Sequence, residues 1–175
     1  MLRPALFLVG PRGAGKSTAG RALASRVSAS FVDADDEVEH RSGQTVSALF
    51  AAAGEAVFRR WEREVMLDLL QRESVIVATG GGCVLDGEVR SALARRLTVW
   101  LTAPLAVLQQ RVALRPRPRL GGMPPDQELA WLVSQREPLY RECSVTVVDT
   151  SGRGVDEVVD ELQHVWQVLP GHHVW

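Results

Sequence analysis

Asparagine is absent from the 175-residue chain, and lysine occurs once, as Lys16. The first absence rules out the usual N-K-x-D motif with which guanine-specific switch proteins read their base. The second leaves arginine to fill every other basic position among the 20. Two cysteines, Cys83 and Cys143, are too few and too far apart for a disulfide framework or a paired-thiolate metal site, so a reducing, cytoplasmic setting is expected. Basic and acidic residues nearly cancel, giving a formal net charge of -1. No positive field therefore argues for a nucleic-acid partner. No apolar run approaches the ~20 residues of a membrane span. The opening MLRPALFLVGPRG is interrupted by Gly and Pro and has no cleavage pattern of a signal peptide. Neither nucleic acid nor membrane is an expected partner.

What is present fits one globular domain over residues 1–175, with 46% hydrophobic and 23% charged residues. ALFLV (5–9), SFVDA (30–34), SVIVATG (74–80), LTVWL (97–101) and SVTVVD (144–149) are short apolar runs that suit strands buried on both faces of a parallel sheet. Helical periodicity fills the intervals. In GEAVFRRWEREVMLDLL, residues Phe58, Trp61, Val65 and Leu69 share one face, and Glu55, Arg59 and Glu62 share another. The alternation predicts an α/β fold, three layers α/β/α around a parallel sheet of about five strands. RPRPRLGGMPPD (115–126) cannot be regular, and Arg111, Arg115, Arg117 and Arg119 charge it strongly. A lid over about 112–125 is expected there.

The densest signal is GPRGAGKS, Gly10 to Ser17, which fits G-x-x-x-x-G-K-[ST] directly after an apolar strand and at the start of a helical stretch. Glycines let backbone N–H groups curl around phosphate oxygens, and the helix N-terminus adds partial positive charge. Lys16 is expected on the β- and γ-phosphates and the Ser17 hydroxyl on Mg²⁺. A single lysine placed at random would occupy that slot in about one of 175 placements, so a turn that binds nothing is a poor explanation. Arginine's planar fork does not replace an ammonium among phosphates. The chain is expected to bind a nucleoside triphosphate and, at this size, to be a small kinase whose lid excludes water.

Three polar clusters remain for the acceptor. In FVDADDEVEH (31–40), Asp33 and Asp35 lie two apart in an expected extended segment and so point to one side. If that strand lies beside the phosphate-loop strand, one carboxylate helps hold Mg²⁺ and the other accepts a proton; helix capping competes for Asp35. Asp36, Glu37 and Glu39 are expected on a solvated helix start. ATGGGC (78–83) has three consecutive glycines, costly to order and suited to backbone that approaches a ligand closely. Arg59 and Arg136, if they converge, imply an anionic acceptor, because guanidinium grips carboxylate with two hydrogen bonds.

GPRGAGKS, FVDADDEVEHRSG, GEAVFRRWE, TGGGCV, RPRL, REPLYRE and VDT follow one another in an order and at intervals that resemble shikimate kinase over nearly the whole chain. The resemblance implies a phosphate-loop fold of the nucleoside-monophosphate-kinase type and transfer of the γ-phosphoryl group of Mg²⁺-bound ATP to the 3-hydroxyl of shikimate, a step of chorismate and aromatic amino acid synthesis. It implies that Gly13, Ala14, Gly15, Lys16, Ser17 and Thr18 hold ATP, that Arg111 lies over the adenine and that Arg153 flanks it. Asp33, with Ser17, would support the metal, and Asp35 would bind the accepting hydroxyl and take its proton. Arg59 and Arg136 would clamp the carboxylate, Phe58 would pack on the ring, and Gly80, Gly81 and Gly82 would offer N–H groups to the hydroxyls. The acceptor region would thus fall at about 33–62.

The lid departs from the family pattern: RPRPRL holds two Arg-Pro pairs where one is usual, with Arg119 at the first expected leucine. Arg115 or Arg117 can match; Arg117 is preferred because Leu120 and the spacing to Arg136 then fit. The tail 169–175 has no assigned role, and its His172 and His173 lack the further ligands of a metal site. The five tryptophans are expected to pack rather than to contact a cofactor. A monomer is expected. Two other readings stand beside this one: another small-molecule kinase such as a gluconate kinase, and a nucleotide-binding regulatory module without catalysis.

Overall fold

The computed structural model describes residues 3–114 and 124–168. Most of the expected lid, with Arg115, Arg117 and Arg119, and the tail 169–175 lie outside the described residues. The five expected strands all form: β1 (Leu6–Val9), β2 (Ser30–Asp33), β3 (Val75–Ala78), β4 (Leu97–Thr102) and β5 (Thr146–Asp149). They pair in parallel in the order β2-β3-β1-β4-β5. The helices between them are α1 (Lys16–Val27), α2 (Ala34–Ser42), α3 (Val46–Leu69), α4 (Gly87–Leu93), α5 (Leu105–Ala113), α6 (Pro125–Cys143) and α7 (Val155–Val168), with a 3-10 turn at Cys83–Leu85.

Strand periodicity divides the core in two. Phe7, Val9, Val75 and Val77 face one side of the sheet and pack with Val38 of α2, Phe58, Val65 and Leu69 of α3, Leu93 of α4 and Tyr140 of α6. Leu6, Leu8, Ile76, Leu97, Val99 and Leu101 face the other and pack with Leu23 of α1, Leu108 of α5 and Leu162 and Trp166 of α7. The result is the three-layer α/β/α arrangement. Of the expected helix face, Phe58, Val65 and Leu69 are buried and Trp61 packs half-buried against the same cluster. Among the described residues no helix is long and apolar enough to cross a membrane.

The strand order sets the site. β3 lies between β1 and β2, so β2 is not the neighbour of the phosphate-loop strand. The chain leaves β1, β2 and β3 at the same sheet edge because all run parallel. The loops after β1 and β3, and the helix start after β2, thus converge where ligands sit in open α/β sheets.

Candidate active site

The loop from Gly10 to Ser17 joins β1 to α1. Gly13 and Gly15 take left-handed conformations, with φ of 81° and 91°, and such turns aim successive N–H groups at an anion. Gly15 ends the loop as the N-cap of α1. Lys16, nearly buried, folds back so that its Nζ donates to the carbonyls of Gly10 (2.8 Å) and Pro11 (2.9 Å). A cavity of about 450 Å³ opens over this loop, lined by Gly13, Gly15, Lys16, Ser17, Thr18, Arg111 and Arg153 among others. Ala14 is fully buried beneath it. Arg111 donates to the Gly13 carbonyl (3.0 Å) and to the hydroxyl (2.8 Å) and carbonyl (2.9 Å) of Thr150. The Thr150 hydroxyl lies 3.1 Å from the carbonyl oxygens of both Ala14 and Thr102. Arg111 and Thr150 thereby brace the loop from α5 and from the end of β5. Arg153 is held at the rim by Glu161 (2.5 Å) and the carbonyls of Asp149 and Glu157.

The acidic run differs from its expected geometry. Only Asp33 is in the strand; Asp35 stands in the first turn of α2, so the two do not share a strand face. Asp33, not Asp35, caps that helix: its Oδ1 accepts from the Asp35 N–H at 3.0 Å. Its other oxygen accepts from the Ser17 hydroxyl at 2.6 Å. One carboxylate thus ties β2 to the start of α1. Asp36 is exposed, as expected, but Glu37 and Glu39 are half-buried and partnered rather than merely solvated. Glu37 pairs with Arg41 at 2.7 Å, and Glu39 accepts from the Val46 N–H at 2.9 Å. In an Asp-rich first turn, partial loss of solvent, aided by Asp33, raises the exposed Asp36 carboxyl above its ordinary range.

A second cavity, about 100 Å³, adjoins the first between α3 and α6. Phe58, Arg59, Gly80, Gly81, Gly82 and Arg136 all line it, so the predicted acceptor residues do converge. Asp35 and Gly81 line both cavities. Phe58 packs at 4.8 Å on Phe50 and carries the Arg59 guanidinium 5.3 Å from its ring. Around the glycines the fit is close: a Cβ on Gly80 would stand 2.5 Å from the Glu62 carboxylate and 3.0 Å from that of Asp35. A Cβ on Gly82 would overlap the Arg59 guanidinium.

Glu62 lay off the apolar stripe and had no role assigned from the sequence. It shares a helix face with Glu55 and Arg59, but that face is a pocket wall, and Glu62 is only 4% exposed. Its carboxylate accepts from Arg59 at 2.6 Å, while Glu55 holds the same guanidinium from outside at 3.0 Å. Burial pushes the Glu62 carboxyl above its ordinary range; Arg59 pulls it back, and nearby Asp35 adds to the rise. Burial works against the Arg59 charge, but Glu62 and Glu55 more than offset it and hold its pKa above the usual guanidinium value. The i,i+3 spacing of Arg59 and Glu62 was the available signal. Thr150 closes the VDT motif, which assigned it no role, and its bracing role follows only from the fold. Cys83 and Cys143 are buried free thiols. Burial pushes Cys83 well up and Cys143 up to about 11, so neither offers a thiolate.

Residues 12–167 match the shikimate kinase family model. The chain belongs to the shikimate kinase family. It is 39% identical over 162 residues to the shikimate kinase of Francisella tularensis subsp. novicida, covering 90% of this chain and 91% of that one. Over the same length it is 38% identical to the shikimate kinase of Francisella philomiragia subsp. philomiragia. Among solved structures, a shikimate kinase from Acinetobacter baumannii in complex with shikimate superposes with a TM-score of 0.87 at 34% identity, covering 93% of this chain and 92% of that one. A gluconokinase from Sinorhizobium meliloti has a TM-score of 0.63 at 18% identity, a likeness of fold alone. Membership in the shikimate kinase family makes the chain a kinase, and the phosphate-loop architecture is the one its relatives have.

Proposed function

We propose that the protein transfers the γ-phosphoryl group of ATP to the 3-hydroxyl of shikimate, giving shikimate 3-phosphate and ADP on the route to chorismate and the aromatic amino acids. The observation that carries this reading is the shared wall: the phosphate-loop cavity and the arginine-lined cavity meet at Asp35 and Gly81. A donor phosphate and an acceptor hydroxyl held on either side would be adjacent, and phosphoryl transfer needs little beyond alignment and charge neutralisation.

In the proposed reaction the 3-hydroxyl oxygen bonds to the γ-phosphorus, the bond from that phosphorus to the bridging oxygen of ADP breaks, and the hydroxyl proton passes to Asp35. Gly13, Ala14, Gly15, Ser17 and Thr18 hold the phosphates. Lys16 exchanges the carbonyls of Gly10 and Pro11 for phosphate oxygens. Arg111 and Arg153 flank the base. Arg59 and Arg136 clamp the shikimate carboxylate, and Phe58 closes the ring site. The N–H groups at Gly80, Gly81 and Gly82 serve the hydroxyls. Glu62 fixes the Arg59 fork before substrate arrives. Arg117 supplies lid charge.

Ser17 and Asp33 present a hydroxyl and a carboxylate oxygen 2.6 Å apart at the loop, hard oxygen donors that fit Mg²⁺ held jointly with substrate phosphates. When bound, the ion supplies charge neutralisation at the phosphates. We further propose a single kinase domain over residues 1–175, a monomer, in the cytoplasm.

Steady-state turnover of ATP with shikimate, with gluconate and with neither tests the reading. Turnover that rises sharply with shikimate alone is expected. Turnover with gluconate alone, or ATP binding without turnover on either, would favour one of the two rival readings.

A further inference from the structure

Tyr140 of α6 belongs to none of the substrate or catalytic sets above, but it is one of the largest fully buried side chains. Its hydroxyl donates to the carbonyl oxygen of Gly81 at 2.5 Å. Gly81 is the glycine that lines both cavities. The Tyr140 hydroxyl and an Arg136 nitrogen stand 3.6 and 3.8 Å from the point where a Gly81 Cβ would be, and the Gly10 carbonyl oxygen 3.4 Å from it. One tyrosine hydroxyl therefore meets the glycine loop at a residue that has both the phosphate loop's Gly10 and Arg136 beside it.

The consequence follows from peptide planarity. No peptide among the described residues is cis, so the Gly81 carbonyl and the Gly82 N–H point in opposite directions from one rigid plane. With its carbonyl fixed on Tyr140, that plane aims the Gly82 N–H away from α6. Among the described residues this N–H has no hydrogen-bond partner. We propose that Tyr140 is a positioning residue of the phosphoryl acceptor site, holding the 81–82 peptide so that the Gly82 N–H is presented as a donor to a substrate hydroxyl. The inference rests on the acceptor reading above.

The tyrosine is itself well anchored. Trp100 stacks on it at 6.0 Å and 31°, and the Arg141 guanidinium covers the Trp100 ring at 5.4 Å. The Trp100 Nε1 is buried with no partner among the described residues, so this indole acts through its shape. Burial pushes the Tyr140 phenol well above its ordinary range, with Arg136 pulling back, so the hydroxyl remains a donor.

Tyr140→Phe deletes the hydroxyl and keeps the ring. With shikimate as the probe, its KM is expected to rise about tenfold while the KM for ATP changes by less than about twofold, since one net hydrogen bond is worth about one decade. In ¹⁵N-labelled wild type, shikimate is expected to slow exchange of the Gly82 amide, and the variant is expected to lose that protection. An unchanged KM for shikimate, or equal rises in both KM values, would overturn the proposal. So would an unaltered Gly82 amide in the shikimate-bound wild type, whatever the variant does. Absence of wild-type turnover on shikimate would instead bring down the functional reading, and this one with it.

Discussion

Asp33 and Asp35 are two positions apart, and the end of β2 between them gives them different surroundings. Asp33 uses both oxygens inside the protein, on the Ser17 hydroxyl and the Asp35 N–H. Asp35, one step into α2, faces both cavities. General bases contribute about 10²- to 10⁴-fold, so Asp35→Asn should lower kcat by that range while nucleotide binding, followed by calorimetry, stays near wild type. Near-normal turnover would remove Asp35 from the base role. Glu62 yields a prediction about stability. Its folded pKa is raised, so the native state holds a proton that the unfolded chain has already released across the window between the ordinary carboxylate value and the raised one. Native stability attributable to Glu62 is therefore greatest below that window and is lost as pH rises through it. Urea titrations across that pH range should show wild-type stability falling relative to Glu62→Gln. A pH-independent difference would show that Arg59 cancels the burial effect.

At the scale of elements, α3 positions Phe58, Arg59 and Glu62 together, and a break governs their angle. Gly54 interrupts the helix with φ of 77° and ψ of 174°, a conformation nearly restricted to glycine. The short first segment, capped by Thr45 on the Ala48 N–H, is tied to Glu39 of α2 through the Val46 N–H; the longer second one carries Phe58, Arg59 and Glu62. Gly54→Ala should cost about 1–3 kcal/mol in urea unfolding. It should also raise the KM for shikimate more than that for ATP, because Arg59 turns with the second segment while Arg136 stays on α6. A stability loss with unchanged KM values would show that the break is only a connector. The periodicity of GEAVFRRWEREVMLDLL made the buried stripe readable. It could not distinguish a solvated face from a pocket wall, since both are polar, and so it gave Glu62 no role beside Arg59. The same limit explains Asp35: two acids in D-A-D read as extended until the Asp33 cap turns the chain into α2.

Across the whole molecule, short apolar runs separated by helical stretches were enough to predict five parallel strands; β1, β3 and β4 are buried on both faces as expected, whereas the edge strands β2 and β5 are partly exposed, Val147 by 47%. Their order was not readable, since every right-handed crossover has the same local pattern. That order matters most for function: β3 between β1 and β2 puts Gly81 between the phosphate loop and Asp35. Two ligand cavities with a common wall should be energetically coupled, because a ligand that fixes Asp35 and Gly81 removes part of the ordering cost for the other. Such coupling is reciprocal: whatever factor a non-hydrolysable ATP analogue applies to shikimate affinity, shikimate must apply to the analogue. Calorimetric titration of each ligand, alone and with the other saturating, should give one factor, about five or more and the same both ways. In Tyr140→Phe, where Gly81 loses its anchor, the factor should fall toward one. Independent binding in the wild type would mean that the shared wall is rigid before either substrate arrives.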